Sequence, residues 1–267
     1  MCTATVAADG SWTCDPVTAL PEGSHTFTAS GTDAAGNTTT ATTTTVIDVT
    51  APVVTATSPA VTNDTTPTIS GTTDLPAGST ITVTEGGVAV CTATVAADGS
   101  WTCDPVTALP EGSHTFTASG TDAAGNTTTA TTTTVIDVTA PVVSLVIDPV
   151  TADNVVNAVE AGGPVSVTGT VSGEFVAGDT VTLTVNGTTY TGVVDAAGKF
   201  SIPVPGAELV ADPDVTVDGS VSTVDAAGNP GSASDSQLYA VDVTAPVVRG
   251  GGGAGGGGDG ARGVVGD

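Results

Sequence analysis

Basic side chains are nearly absent from this chain. Three Lys and Arg stand against 28 Asp and Glu, a formal charge of −25 over 267 residues. Phosphate binding requires a basic face, so nucleic acid is excluded as a partner. Aromatics are equally scarce, at 2 Trp, 2 Tyr and 4 Phe. No apolar run approaches the ~20 residues of a membrane span, so membrane insertion is not expected. No segment has helical periodicity. The residues after Met1 lack the basic start of a secretion signal. No nucleophilic Ser or Cys pattern accompanies either His, so a base–nucleophile pair is missing and an enzyme is not expected.

What the chain does have is repetition. Cys2–Val54 is identical, letter for letter, to Cys91–Val143, 89 residues further on. A diverged unit follows with the same landmarks. The stretch Ile-Asp-Val-Thr-Ala-Pro-Val-Val occurs at Ile47–Val54 and Ile136–Val143, and a near variant occurs at Val241–Val248. Pro fixes φ and drives its predecessor into an extended conformation, so each stretch reads as a short, stiff joint between strands. A period near 90 residues is too long for a solenoid and suits a string of small β-domains. Met1 stands where the second copy has Val90, which gives the chain the look of a fragment.

The complete unit reads as about seven short strands punctuated by turns. Val53–Thr57, Pro67–Thr72, Thr80–Thr84, Val88–Val95, a strand at Trp101, His114–Ser119 and Thr127–Ile136 follow one another with one large aromatic among them. That pattern predicts an all-β chain of tandem immunoglobulin-like β-sandwich domains, Greek-key and joined end to end. Residues 1–48 are the C-terminal half of a truncated repeat, with Cys2–Val6 and Ser11–Cys14 as strands about an Ala-Ala-Asp-Gly turn. Its inward face should be uncovered. Residues 49–138 form the complete repeat and 139–243 the divergent one, with Phe175, Phe200 and Leu183 supplying the bulk of Trp101. Residues 244–267 start a further repeat and run into a Gly-rich tail too poor in apolar surface to fold.

Four Cys recur as one pair, Cys2/Cys14 and Cys91/Cys103. Each pair flanks a hairpin, so the two side chains can meet across adjacent strands. Recurrence as a unit favours disulfides in an oxidising, extracellular compartment over buried free thiols. His25 and His114 are one position seen twice and are expected to face solvent. The Thr runs at Thr38–Thr45 and Thr127–Thr134 are explained by β-propensity on an exposed strand, without a flat ice- or sugar-binding array.

The acids carry the functional reading. In a sandwich of this kind, the loops after the second, fourth and sixth strands lie at the end where the joint enters. That gathers Asp48, Asp74, Asp122 and Asn126 at one joint. It gathers Asp137, Glu174 or Asp179, Asp225 and Asn229 at the next, with Asp242 holding the same place in the third copy. Three carboxylates with amide and backbone oxygens meet the six to eight oxygen ligands of Ca²⁺. Asp-Ala-Ala-Gly-Asn is also a good turn in its own right, with Asp accepting backbone N–H groups. The acidic balance alone fits either cation binding or solubility.

Thr62-Asn-Asp-Thr-Thr-Pro-Thr-Ile-Ser-Gly71, the Cys91–Trp101–Cys103 unit, Glu111-Gly-Ser-His-Thr115, Asp122-Ala-Ala-Gly-Asn126 and the Asp-Val-Thr-Ala-Pro joint together resemble bacterial immunoglobulin-like repeats. Those repeats belong to large type I-secreted surface adhesins and biofilm-associated proteins. Asp153–Ala161 looks like their sister repeat type. The resemblance covers about residues 1–248. It implies a non-enzymatic stalk at the bacterial cell surface, with interdomain calcium in some members. Its partners would be neighbouring repeats of the same parent chain and a host or biofilm surface bound by the parent. The alternative is a carbohydrate-binding accessory module of a secreted hydrolase, which would need a solvent-facing aromatic platform.

Overall fold

The computed structural model describes residues 1–248. The tail from 249 to 267, expected to be disordered, lies outside them. The described residues form two compact units, Met1–Thr139 with Ala226–Asn229, and Ala140–Asp225 with the described residues from Pro230. Among the described residues the regular structure is β-strand apart from two short helical turns.

In the first unit, β1 (Gly23–Thr32) and β2 (Thr38–Ile47) form an isolated antiparallel hairpin. Strands β3 (Val61–Thr62), β4 (Ile69–Thr72), β5 (Thr80–Glu85), β6 (Val88–Thr94), β7 (Ser100–Cys103), β8 (Gly112–Thr121) and β9 (Thr127–Ile136) follow. They form a five-stranded sheet, ordered β3-β9-β8-β5-β6, and a two-stranded sheet, β4-β7. The predicted opening strand at 53–57 is reduced to bridges, Val54 to Thr73 and Thr57 to Ser70. Alternation explains the packing: in β5, Ile81 and Val83 point inward, and in β8 His114, Phe116 and Ala118 do. Ile81, Val83, Phe116 and Ala118 meet Ile69 and Trp101 in the core between the sheets.

The Cys91–Cys103 disulfide has a Cα–Cα distance of 6.0 Å. It does not cross a ladder between adjacent strands, as the hairpin spacing suggested. Cys91 lies on β6 and Cys103 on β7, which belong to different sheets, so the bond staples the two layers of the sandwich. A loop of this size contributes roughly 3 kcal/mol by restricting the unfolded chain.

The leading copy of the duplicated sequence behaves differently. Its turn survives, with Ala7 N donating to Ser11 O and Gly10 N to Ala7 O. Cys2 and Cys14 are also bonded. However, Cys2–Val6 and Ser11–Cys14 form no strands, contrary to expectation. In the second copy those segments pair with β5 and β4, and residues 1–48 contain no counterpart of either. Without a ladder partner an extended segment leaves its backbone groups to water.

The second unit comprises β10 (Val143–Ile147), β11 (Val155–Asn157), β12 (Pro164–Gly173), β13 (Thr180–Val185), β14 (Thr188–Val193), β15 (Lys199–Pro205), β16 (Thr216–Val224), β17 (Pro230–Leu238) and β18 (Ala240–Asp242). Its sheets are β10-β12-β15 and β14-β13-β16-β17, with β11 and β18 paired in parallel beside them. One turn of helix, α1 (Gly206–Ala211), buries Leu209 and corrects the expectation of no helix. Six residues are too few to show a helical period. Phe200 and Leu183 fill the core as expected, while Phe175 is only partly buried against it.

Candidate functional site

The joint at Ile47–Val54 is built by Asx-turn chemistry. Asp48 Oδ1 accepts the Thr50 amide at 3.0 Å, which bends the chain ahead of Pro52. Asp137 does the same with Thr139, and Asp242 with Thr244. Thr50 Oγ1 in turn donates to Glu22, at 2.8 Å to Oε1. Thr139 Oγ1 donates to Glu111 at 2.8 Å. Sequence reasoning missed both glutamates. The signal was present, because Leu-Pro-Glu-Gly precedes β1 and β8 alike.

The predicted loop residues come to this joint with defined partners. Asp74 Oδ1 accepts the Val53 amide at 2.8 Å, tying the loop after β4 to the chain as it leaves the joint. In the second unit Glu174 Oε2 accepts the Val142 amide at the same distance, which makes Glu174 the counterpart of Asp74. Asp179 instead closes its own turn, accepting the Val176 amide. Asp122 accepts the Ala124 and Asn126 amides on Oδ1 and the Asn126 Nδ2 on Oδ2. The hydrogen bond from the Asn126 side chain, with the backbone donors, outweighs partial desolvation and holds the Asp122 carboxyl below the usual range. A hydrogen bond from the Thr244 hydroxyl, then its amide, lowers Asp242 likewise.

Two asparagines reach the backbone of the joint aspartates. Asn126 Nδ2 also donates to the Asp48 carbonyl at 3.1 Å, and Asn229 Nδ2, in the loop belonging to the first unit, donates to the Asp137 carbonyl at 2.8 Å. Asp225 precedes that loop at the end of β16. Around the first joint, Glu22, Asp48, Asp74 and Asp122 line one open cleft of about 460 Å³ with Thr50 and Pro52. Sequence placed three of these carboxylates together, and the fold adds Glu22. Their chemistry suits a hard cation. Among the described residues, however, no three acidic, His or Cys side chains are grouped closely enough to hold one ion.

His114 overturns the expectation of a solvent-facing histidine. It is 7% exposed. Nδ1 faces Glu85 Oε1 at 2.6 Å and Nε2 faces the Pro110 carbonyl at 2.8 Å. Only the doubly protonated ring can donate to both. Burial disfavours that charge, but the Pro110 carbonyl and the Glu85 carboxylate together raise the pKa above its ordinary 6.5. A raised pKa stabilises the fold fully below the unfolded value, and the gain is lost as pH rises through the folded value. Unfolding of this sandwich should therefore become easier as pH rises from 6 toward and past the folded pKa. His114→Gln should flatten that dependence, which denaturant midpoints across the pH range and the imidazole NMR titration would read. His25, with the same neighbours in sequence, has only the Pro21 carbonyl, at 2.7 Å, because residues 1–48 hold no counterpart of Glu85.

Two β-sandwiches, each entered through an Asp-turn joint, define a protein of tandem immunoglobulin-like repeats. The chain belongs to the bacterial Ig-like domain family, whose model matches residues 1–49 and 54–138. That family is structural and adhesive, not enzymatic. A solved structure of a 1.5-MDa bacterial ice-binding adhesin is 32% identical over 84% of this chain and 76% of that one, with a TM-score of 0.55. A Ca²⁺-stabilized adhesin that helps an Antarctic bacterium reach out and bind ice is 34% identical over 90% of this chain, with a TM-score of 0.55. This chain spans 62% of that structure's length. A bacterial immunoglobulin-like domain from the M. primoryensis ice-binding adhesin is 45% identical over 39% of this chain and 99% of that one, with a TM-score of 0.36. No curated protein matches the chain. By family and relatives it is a tandem-repeat segment related to extracellular, secreted adhesins of bacterial surfaces. Among the described residues no helix is long and apolar enough to cross a membrane.

Proposed function

We propose that this chain is a stalk segment of a bacterial surface adhesin, spacing an adhesive region from the cell and supporting cell adhesion and biofilm formation. In this reading residues 1–48 are the back half of one repeat, 49–138 and 139–243 are whole repeats, and the joints between them bind Ca²⁺. The observation that carries it is the first joint, where Glu22, Asp48, Asp74 and Asp122 line one cleft. Four carboxylates facing one cleft repel one another, and a divalent cation drawn between them would relieve that repulsion. Asp48, Asp74, Asp122 and Glu22 would supply carboxylate oxygens and Asn126 an amide oxygen. Asp137, Glu174, Asp225 and Asn229 occupy the same places in sequence at the next joint. Their oxygens now serve largely as turn acceptors, so cation binding requires the cleft to draw together. The parent's adhesive ligand would be a host or biofilm surface contacted outside these repeats.

The test is thermal unfolding of the full chain after chelation, titrated with Ca²⁺ and followed by small-angle scattering. Binding to the native state alone adds about 2.7 kcal/mol at a free ligand concentration 100 times Kd. For a domain of ~90 residues that is a rise in Tm of roughly 10–20 °C. The scattering envelope should lengthen and stiffen with it, and Glu22→Gln with Asp48→Asn should weaken both responses. An unchanged melt and envelope would reduce the acids to turn chemistry and solubility, leaving a spacer with joints that do not respond to calcium.

A further inference from the structure

The chain holds one Asn-Gly pair, Asn186–Gly187, and it forms the two-residue turn between β13 and β14. Val185 and Thr188 close the ladder beneath it. Both turn residues have positive φ, 49° and 72°, the type I′ geometry that such a pair favours. Gly187 stands outside the ladder, and a Cβ built on it would meet nothing within 4 Å. Its amide is therefore open to solvent.

Asn186 is fixed from the other side. Its Nδ2 donates to Glu208 Oε2 of α1 at 3.0 Å, and its backbone N donates to Asp212 Oδ1 at 3.2 Å. Asp212 is 6% exposed, and its Oδ2 accepts the Thr216 amide and the Tyr239 hydroxyl. This one turn thus ties the β13–β14 hairpin to α1 and to the start of β16.

Asparagine followed by glycine has a chemistry of its own. The glycine nitrogen gives its proton to a solvent base and attacks the asparagine Cγ. The new N–C bond closes a five-membered imide, and the Cγ–Nδ2 bond breaks to release ammonia. Water then opens the ring at either carbonyl, leaving aspartate or isoaspartate. A Cβ on the following residue hinders the attack, and every other Asn of the chain precedes such a residue. Asn229 precedes Pro230, which has no N–H to lose. Asp-Gly can close the same ring, but among the described residues the fold opposes it. Gly10 and Gly99 donate their amides to the Ala7 and Ala96 carbonyls. Gly219 is held in the ladder between Leu183 and Asp235.

We propose that Asn186–Gly187 is a site of spontaneous covalent modification, where the folded protein converts asparagine to isoaspartate and aspartate with water as the reagent, and that conversion releases the turn from α1. The product loses the Nδ2 donor and sets a carboxylate against Glu208, with Asp212 beside it. Like charges so close repel. Isoaspartate also adds a carbon to the backbone of a turn whose length fixes the strand register.

Incubation of the full chain at neutral and mildly alkaline pH tests this, read by peptide-mapping mass spectrometry and by labelling with an isoaspartyl methyltransferase. The small mass gain that marks exchange of an amide for a carboxyl should map to Asn186 and appear faster at the higher pH. Asn186→Gly should abolish it and keep the turn, since the corresponding turn of the first sandwich is Gly86–Gly87, with both φ positive. The modified chain should melt at a lower temperature than the fresh one. Asn186→Asp, which adds the charge without the backbone carbon, should fall between them. A constant mass, a gain that maps to another Asn, or a gain undiminished in Asn186→Gly overturns the site. Equal melting of fresh and modified chains overturns release of the turn.

Discussion

Trp101→Ala is expected to destabilise the first sandwich by about 3–5 kcal/mol, the range for truncating a large buried aromatic. Trp12→Ala, the same substitution in the same sequence context, is expected to change that sandwich's stability by less than ~0.5 kcal/mol, as at an exposed position. Trp101 is 2% exposed, and its removal leaves a cavity bounded by Ile69, Phe116 and the disulfide on both sheets. Its Nε1 has no hydrogen-bond partner, so its contribution comes from packing and not from a polar contact. Denaturant unfolding of the full chain, read by far-UV circular dichroism, would compare the two. Equal losses would mean that the leading copy has its own buried core.

The second large effect comes from two glycines. A Cβ at Gly71 would overlap the Thr55 carbonyl oxygen and come within 2.7 Å of Trp101 Cζ2. At Gly169 it would overlap the Val146 carbonyl and the Phe200 ring. Each glycine lets a neighbouring strand and a core aromatic approach the backbone, and neither obstacle is the flexible end of a side chain. Gly71→Ala and Gly169→Ala should each cost about 3 kcal/mol or more, at the upper end of overpacking effects. Gly31→Ala is the control. It has nothing within 4 Å, whereas its identical counterpart Gly120 meets Leu75, Ile81 and Val54 at 2.9–3.0 Å. Gly31→Ala should therefore be neutral or mildly stabilising, and thermal melts of the three variants would rank them.

These paired outcomes show where the sequence stops being informative. The all-β class, most strand positions and the pairing of the cysteines were legible because they rest on local signals: alternation, turn residues and recurrence. Thr127–Ile136 and Thr180–Val185 are strands with the bounds expected of them. The joint aspartates were legible for the same reason, since Asp-x-Thr turns close within three residues. What each residue faces was not legible. His114 is buried because β5 brings Glu85 against it, 29 residues away. The disulfide joins two sheets because β6 and β7 part company after a short turn. Glu22 and Glu111 reach Thr50 and Thr139 across 28 residues. α1 is held by burial of Leu209, not by periodicity.

Period-two patterning and Pro–Asp chemistry act over a few residues, and they suffice for an all-β string of repeats with acidic, turn-rich joints. Which of two identical stretches lines a core and which stays at a surface depends on what packs against it. Burial belongs to the partner strands that arrive from elsewhere in the chain. Phe27 and Phe116 share every neighbour in sequence from Cys2 to Val54, and only one of them has β5 beside it.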